Sequence, residues 1–407
     1  MRASSMGLAG TFVLAAVATF TVTANVYGDL SHPTLLTAEL LSLLALHALR
    51  YLHLWISREM LLCVGFVGYS LLSLAWTDDV RTAVITLPAI INFTLMLLLF
   101  SALVAYHDLR ALLAGMVVGF TAAAVRYTLT SGFPFSYPDD FSYNTIAGMY
   151  LFGLFITAVF GAYLHRFVLP LAAGAILMLL IMATTSIKTN LGVALGISAA
   201  AVLYFKPTLK GIVRGVVVLG ILTVGGAYTI SSNPALVERV QNGFGRVSRG
   251  VSVLANREAD SGSTGLGNRK GWEREGLRGW AATPVFGHGF EGFRADFGTT
   301  SHSTPIDLLY NSGIIGFGLF YGMFASIAWR LLRSRNAQFR GVRARIAACL
   351  IAYSFMSLSG TLYYDTFVAI FVGVAAGLLM RLERSGYRAS ESAGVATMGV
   401  DGPVPST

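Results

Sequence analysis

Residues 83–105 read AVITLPAIINFTLMLLLFSALVA, an unbroken run without a single charged side chain. A helix needs about 20 apolar residues to cross a bilayer core of ~30 Å, and this run is long enough to do so. Similar runs lie at 7–26, 33–55, 59–76, 110–130, 144–164, 167–186, 188–205, 211–230, 305–330, 345–362 and 366–382. Together they predict an all-α polytopic membrane protein with about twelve transmembrane helices. The composition agrees: 55% of the 407 residues are apolar and only 12% charged, with a mean hydropathy of +0.66. A soluble domain carries about twice that share of charge, so soluble classes are excluded.

The net charge of +9 does not point to nucleic acid, because the Lys and Arg residues stand at the ends of apolar runs. That is where the positive-inside rule puts them. With the N-terminus inside, most of the 29 basic residues fall on the inner side, among them Arg2, Arg50, Arg58, Arg110, Arg330, Arg333, Arg381 and Arg384. Asp29, Asp78, Asp79, Asp139, Asp140 and Asp365 gather on the other. Both termini are therefore expected to be cytoplasmic. The first run is longer than a signal sequence and is read as a retained helix. Cys63 and Cys349 are the only cysteines and lie inside apolar runs, which leaves no disulfide scaffold and no Cys-based metal cluster.

This pattern divides the chain into 1–230, carrying the first nine helices; 231–304, one long outer loop; 305–385, the last three helices; and 386–407, a small polar tail expected to be disordered. The loop holds Trp272, Trp280, Phe286, Phe290, Phe293 and Phe297, enough apolar material to pack as a small cap. Its middle, 261–267, is Gly/Ser-rich. A helix is expected from Glu273 to Ala281, ended by Thr283-Pro284.

Charges near a membrane are costly, so each needs a partner or a role. Arg81, Arg126 and Lys188 all fall toward the outer side. They suit either an anionic group held there or, more plainly, headgroups and the nearby Asp78, Asp79 and Asp365. In the loop, Arg269 and Lys270 stand beside Trp272, with Arg274 and Arg278 following. Such a face fits a diphosphate, and equally a solvated surface paired with Glu273 and Glu275. His288, in Gly287-His288-Gly289, reads as a turn.

The most informative stretch is His302-Ser303-Thr304-Pro305-Ile306-Asp307. Thr304 and Asp307 have capping-box spacing and Pro305 suits a first helical position, so His302 stands just before a helix N-terminus. The positive end of that helix disfavours an imidazolium and favours phosphate oxygens nearby. A neutral imidazole beside an anion is what removal of a proton from a sugar hydroxyl requires. Metal and nucleotide motifs such as Asp-x-Asp, a P-loop or His-Glu-x-x-His do not occur, and a metal-independent reaction without cofactor is expected.

His302-Ser303, followed by Gly313-Ile314-Ile315-Gly316, resembles the signature of the bacterial O-antigen ligases, which are related to O-antigen polymerases and to oligosaccharyltransferases that modify protein. The resemblance implies a GT-C-like inner-membrane enzyme whose long loop, 231–304, is periplasmic. It implies an inverting glycosyltransferase of lipopolysaccharide biosynthesis, moving O-antigen polysaccharide from undecaprenyl diphosphate to a sugar hydroxyl of lipid A-core. On this likeness His302 matches the required His, and Arg269, in an Arg-x-x-Trp setting, matches a loop Arg. Lys188 stands where many relatives carry Arg, which keeps the charge but loses bidentate geometry. Lys188, Arg269, Arg126 and Arg81 would bind the diphosphate. The implied partners are the lipid-linked donor, the lipid A-core acceptor and membrane lipids, without nucleic acid. A repeat-unit polymerase, or a ligase acting on protein Ser or Thr, uses the same chemistry with another acceptor. A flippase or transporter would instead need midplane binding groups and related halves.

Overall fold

A computed structural model describes residues 7–26, 57–131, 143–163, 168–183, 187–204, 265–333, 340–358, 360–363 and 365–398. Among these residues the protein is helical throughout, with no strand. The helices are α1 (Leu8–Val26), α2 (Arg58–Leu72), α3 (Val80–Tyr106), α4 (Leu109–Ser131), α5 (Tyr143–Tyr163), α6 (Val168–Ala183) and α7 (Ile187–Tyr204). After the loop come α8 (Gly265–Ala282), the short α9 (Gly292–Phe297), α10 (Thr304–Arg333), α11 (Arg340–Ser357) and α12 (Thr366–Met398). Each apolar run among the described residues coincides with a helix. The runs at 33–55 and 211–230 lie outside them.

Five segments are long and apolar enough to cross a membrane: Arg58–Ala75, Val80–Tyr106, Leu109–Thr130, Thr304–Arg333 and Thr366–Arg384. The last is the most enclosed, 78% buried, and so forms the centre of the bundle. Shorter apolar helices cover Leu8–Phe20, Ile146–Gly161 and Ala172–Ile181. The protein is a helical membrane protein on this evidence of length and composition.

Lipid tails give apolar helices little reason to associate, so close backbone packing must supply it, and small residues four apart permit that. On α4, a methyl group on Gly115 would sit 2.3 Å from the Phe12 carbonyl oxygen, and one on Gly119 2.1 Å from that of Ala16, both on α1. On α12, Gly373 and Gly377 meet Leu97 and Ser101 of α3 in the same way, at 2.6 and 2.7 Å. On α7, a methyl group on Gly196 would sit 3.0 Å from the Ala348 carbonyl oxygen of α11, and one on Gly192, one turn away, 3.4 Å from that of Ala352. The last pairing runs antiparallel, so the start of α7 lies at the same end of the bundle as the end of α11.

One end of the bundle is basic. Arg330 joins Glu59 and Glu383 there, and the Arg381 guanidinium donates to the His107 carbonyl at 2.8 Å. The other end carries the loop elements α8 and α9. The helix expected from Glu273 begins earlier, at Gly265, taking in part of the Gly/Ser-rich stretch, and closes at Ala282 before Thr283-Pro284 as expected. At the C-terminus α12 continues to Met398, so the segment read as a disordered tail is helical up to that residue.

Candidate functional site

Helix α10 spans 30 residues, about 45 Å, too long for one bilayer core. It is broken at Gly313, whose φ of 58° and ψ of −161° leave the helical region. The part after the break, 314–333, measures ~30 Å and matches a bilayer core. The part before it, 304–312, belongs with the cap.

A helix break frees backbone groups, which must find partners when buried. The turn after α8 supplies them. The Tyr310 and Asn311 carbonyls accept the amides of His288 and Gly289, each at 2.8 Å, and the Ile314 amide donates to the Pro284 carbonyl at 2.9 Å. Such backbone contact requires glycine on both sides: a methyl on Gly313 would meet the Val285 carbonyl oxygen at 2.3 Å, and one on Gly287 the Asn311 carbonyl at 2.6 Å. The His288 ring stacks on Tyr310, centroids 4.3 Å apart, and its Nε2 lies 3.0 Å from the Gly279 carbonyl. The expected turn at His288 is thus a dock for the broken helix. Tyr69 and Thr77 fasten the same loop to the end of α2, donating to the Phe286 and Phe290 carbonyls at 2.8 and 3.0 Å.

His302 sits at the top of this assembly with a positive φ of 58°. That conformation costs a non-glycine residue about 1 kcal/mol and persists only where the surroundings dictate it. Here they do. Ser301, Ser303 and Thr304 are buried, while His302 between them is half-exposed. The Ser301 hydroxyl donates to the Ser303 carbonyl at 2.9 Å and accepts the Ser303 amide at 3.1 Å, closing the turn beneath the imidazole. The Asp307 carboxylate accepts the Ser301 amide at 2.8 Å through one oxygen and the Thr361 hydroxyl at 3.0 Å through the other. The expected capping box is therefore rewired. Asp307 reaches back past Thr304 to Ser301, and the Thr304 hydroxyl bonds the Gly360 carbonyl and the Leu362 amide instead. The reason is the turn between α11 and α12, which lies against Thr304 and offers both groups.

The imidazole meets the Trp272 ring of α8, centroids 5.5 Å apart at 46°. Helix α8 approaches α10 through Gly276 and Gly279, where methyl groups would meet Ile306 at 2.4 Å and the Tyr310 ring at 2.1 Å. Residues 269, 272, 276 and 279 follow helical spacing along that face, so Arg269 lies one turn from Trp272 in the same row. Its side chain falls outside the described residues. Arg274 and Arg278 are exposed and do not share that row; Arg278 pairs with Glu275 at 2.7 Å on the surface, a contact contributing about 1 kcal/mol or less. The basic face expected from 269, 274 and 278 is thus divided.

Lys188 occupies the first turn of α7, at the end of the bundle that carries the His302 turn, and its side chain is likewise outside the described residues. Arg126 is half-buried near the end of α4, and Arg81 is exposed in the first turn of α3. Neither forms an ion pair among the described residues. The alternative pairing of Arg81 with a neighbouring Asp takes a looser form: Asp79 caps α3 through the Thr82 amide at 3.0 Å. Its carboxyl is held below the usual range by the Thr82 hydrogen bonds first, with Arg81 adding little.

Two groups escaped the sequence reading. Glu291 is 1% exposed with φ 61°, accepts the Tyr363 hydroxyl at 3.2 Å and pairs with Arg294 at 3.4 Å. Burial raises its carboxyl above the usual range; Arg294 and the Tyr363 hydrogen bond oppose this, and the nearby Asp307 carboxylate adds to it. Asn311 links the same cluster, accepting the Phe293 amide at 2.7 Å and reaching the Tyr363 hydroxyl at 3.5 Å. An acid set between Phe290 and Phe293 was the available signal, since a lone carboxylate among aromatics needs a buried partner. Arg294 carried no signal of its own. The Tyr310 hydroxyl also donates to Asp296 of α9.

No protein-family model matches this sequence, and no curated protein matches it.

Proposed function

We propose that this chain is an O-antigen ligase-like glycosyltransferase of a bacterial inner membrane, with about twelve spans, both termini cytoplasmic and the loop 231–304 in the periplasm. It moves a polysaccharide from undecaprenyl diphosphate to a sugar hydroxyl of lipid A-core, inverting the anomeric carbon and using no metal. The observation that carries this reading is His302, held in a costly conformation by buried neighbours while its own ring remains half-exposed against Trp272.

In this reaction His302 takes the proton of the acceptor hydroxyl as that oxygen forms its bond to the anomeric carbon. The bond from that carbon to the diphosphate breaks, and its electron pair leaves on the phosphate oxygen. Lys188 and Arg269, aided by Arg126 and Arg81, offset the growing charge, so no acid need protonate the leaving group. What supports these assignments is the common end of the bundle shared by α7, α8 and the His302 turn. Both substrates are lipid-anchored, which suits a site where the cap meets the membrane.

The test is transfer by purified protein in liposomes, supplied in turn with lipid A-core, repeat-unit carrier and acceptor protein. Transfer to lipid A-core that His302→Ala abolishes, with that variant still inserted and folded, is the expected result. Unimpaired transfer by His302→Ala removes the mechanism, and transfer only to another acceptor reassigns the enzyme to polymerisation or to protein modification.

A further inference from the structure

The end of the bundle opposite His302 carries an open cavity of about 570 Å³ between the start of α2, the last turns of α10 and the middle of α12. Small-molecule sites run from ~300 to ~1,000 Å³, so this space is large enough to take a ligand. Arg58, Arg330 and Arg333 line it, together with Glu59 and Glu383.

Both acids are already occupied. Glu59 is 1% exposed and accepts the Ser326 hydroxyl at 2.8 Å and Arg330 Nη1 at 3.0 Å. Glu383 receives Arg330 Nε at 3.0 Å and Nη2 at 2.9 Å, a bidentate pair. Each guanidinium nitrogen of Arg330 is thereby used, and its one positive charge is shared between the two acids. Arg58 of α2 and Arg333 of α10 form no ion pair among the described residues. Arg333 instead lies over the Trp329 indole, 4.9 Å from the ring centre, and that indole is 49% exposed. Three cations against two acids leave the lining with one net positive charge, and the two cations outside the ion pairs, Arg58 and Arg333, come from different helices.

The surroundings narrow the ligand further. Leu61 and Leu332 are 55% and 80% exposed beside Arg58 and Arg333, on helices apolar enough to cross a membrane. A ligand here meets cations together with Trp329 and Met380, and Leu61 and Leu332 lie outside that lining on the same helices. Basic pockets between membrane helices receive acidic headgroups in this way. The net positive charge of the lining is matched by an anionic headgroup and not by a zwitterionic one, which carries no net charge.

We infer that this cavity binds the phosphate of an anionic phospholipid, with Arg58 and Arg333 on the phosphate oxygens, Trp329 along the glycerol region and the acyl chains against Leu61 and Leu332. A lipid held there ties α2 to α10. The other ends of these same two helices carry Tyr69 against the cap and the His302 turn. The inference stands apart from the reaction proposed at that far end.

The full-length protein, delipidated in detergent, would be offered phosphatidylglycerol, phosphatidylcholine or inorganic phosphate, and retained adducts counted by native mass spectrometry. Preferential retention of phosphatidylglycerol is expected. Arg58→Gln with Arg333→Gln should reduce it about tenfold, since each cation contributes modestly at a lipid surface. Arg110→Gln with Arg340→Gln removes the same charge from the same end of the bundle outside the cavity, and should leave retention unchanged. Size-exclusion profiles and thermal unfolding of both double variants verify folding; if Arg58→Gln with Arg333→Gln fails that check, each single substitution is measured in its place. Equal retention of phosphatidylcholine, equal loss in the two double variants, or displacement of the lipid by inorganic phosphate would each overturn the inference.

Discussion

The indole of Trp272 lies against the imidazole of His302, one ring carried by the cap helix α8 and the other by the turn that begins α10. The contact limits the orientations open to a ring whose own backbone is already fixed. An aromatic contact of this kind contributes about 1 kcal/mol, about a factor of five in a rate if all of it serves orientation. Trp272→Ala is therefore expected to slow transfer about fivefold, with Trp272→Phe between it and the wild type. Initial rates in the liposome assay measure this; wild-type rates in Trp272→Ala would show that the indole does not orient the base.

Asp307 presents a different dependence, because its hydrogen bonds hold the turn that carries His302. Its two oxygens accept the Ser301 amide and the Thr361 hydroxyl, and both partners are donors. Asparagine keeps the shape but turns an amino group toward one of those donors. Asp307→Asn is expected to cost about 2 kcal/mol of stability. It should also lower kcat with little change in KM, as the His302 turn loosens. Thermal unfolding and steady-state kinetics of the same preparation separate the two effects, and an unchanged kcat would reduce Asp307 to a purely structural anchor.

Much of this architecture was legible in the sequence because bilayer thickness imposes a length on apolar runs. The helix starts at Arg58, Val80, Leu109 and Thr304 each fall within a few residues of the expected ones. The turn of His302 before α10 was legible as well, through Pro305 and the polar residues around it. The break at Gly313 was not. The residues Gly313-Ile314-Ile315-Gly316 were recognisable as a motif, but glycine is common in membrane helices, and nothing local distinguishes a packing glycine such as Gly373 from one adopting a positive φ. The rewired cap of Thr304 was hidden for a similar reason, since its partners Gly360 and Leu362 are remote in the chain.

Gly313 allows a sharp test of that break. Alanine there would need a left-handed conformation and would drive its methyl into the Val285 carbonyl. Gly313→Ala should cost about 3 kcal/mol or more. Gly318, on the same helix and facing open space, should accept alanine with almost no loss. Comparable melting temperatures for the two variants would argue against the break.

Glu291 predicts the response of the cap to pH. Burial raises its carboxyl above the ordinary 4.5, so the folded protein keeps this proton to a higher pH than the unfolded chain does. Stability from this group consequently falls as pH rises from 4.5 through the raised value, the reverse of a carboxylate stabilised in its charged form. Glu291→Gln should flatten that slope, and Arg294→Gln should steepen it by removing the cation that opposes the rise. Thermal unfolding across this interval decides the matter; identical slopes in wild type and Glu291→Gln would rule out the assignment.

The interruption at Gly313 also determines what moves with what. The stretch 304–312 is stitched to the loop through Tyr310, Asn311 and Asp307, whereas 314–333 is stitched to its neighbours in the membrane. The imidazole is thus mechanically a passenger of the extramembrane layer. Any displacement of the cap is expected to carry the His302 and Trp272 rings together, and to pull first on the bonds that hold Thr304 and Asp307 to the turn between α11 and α12.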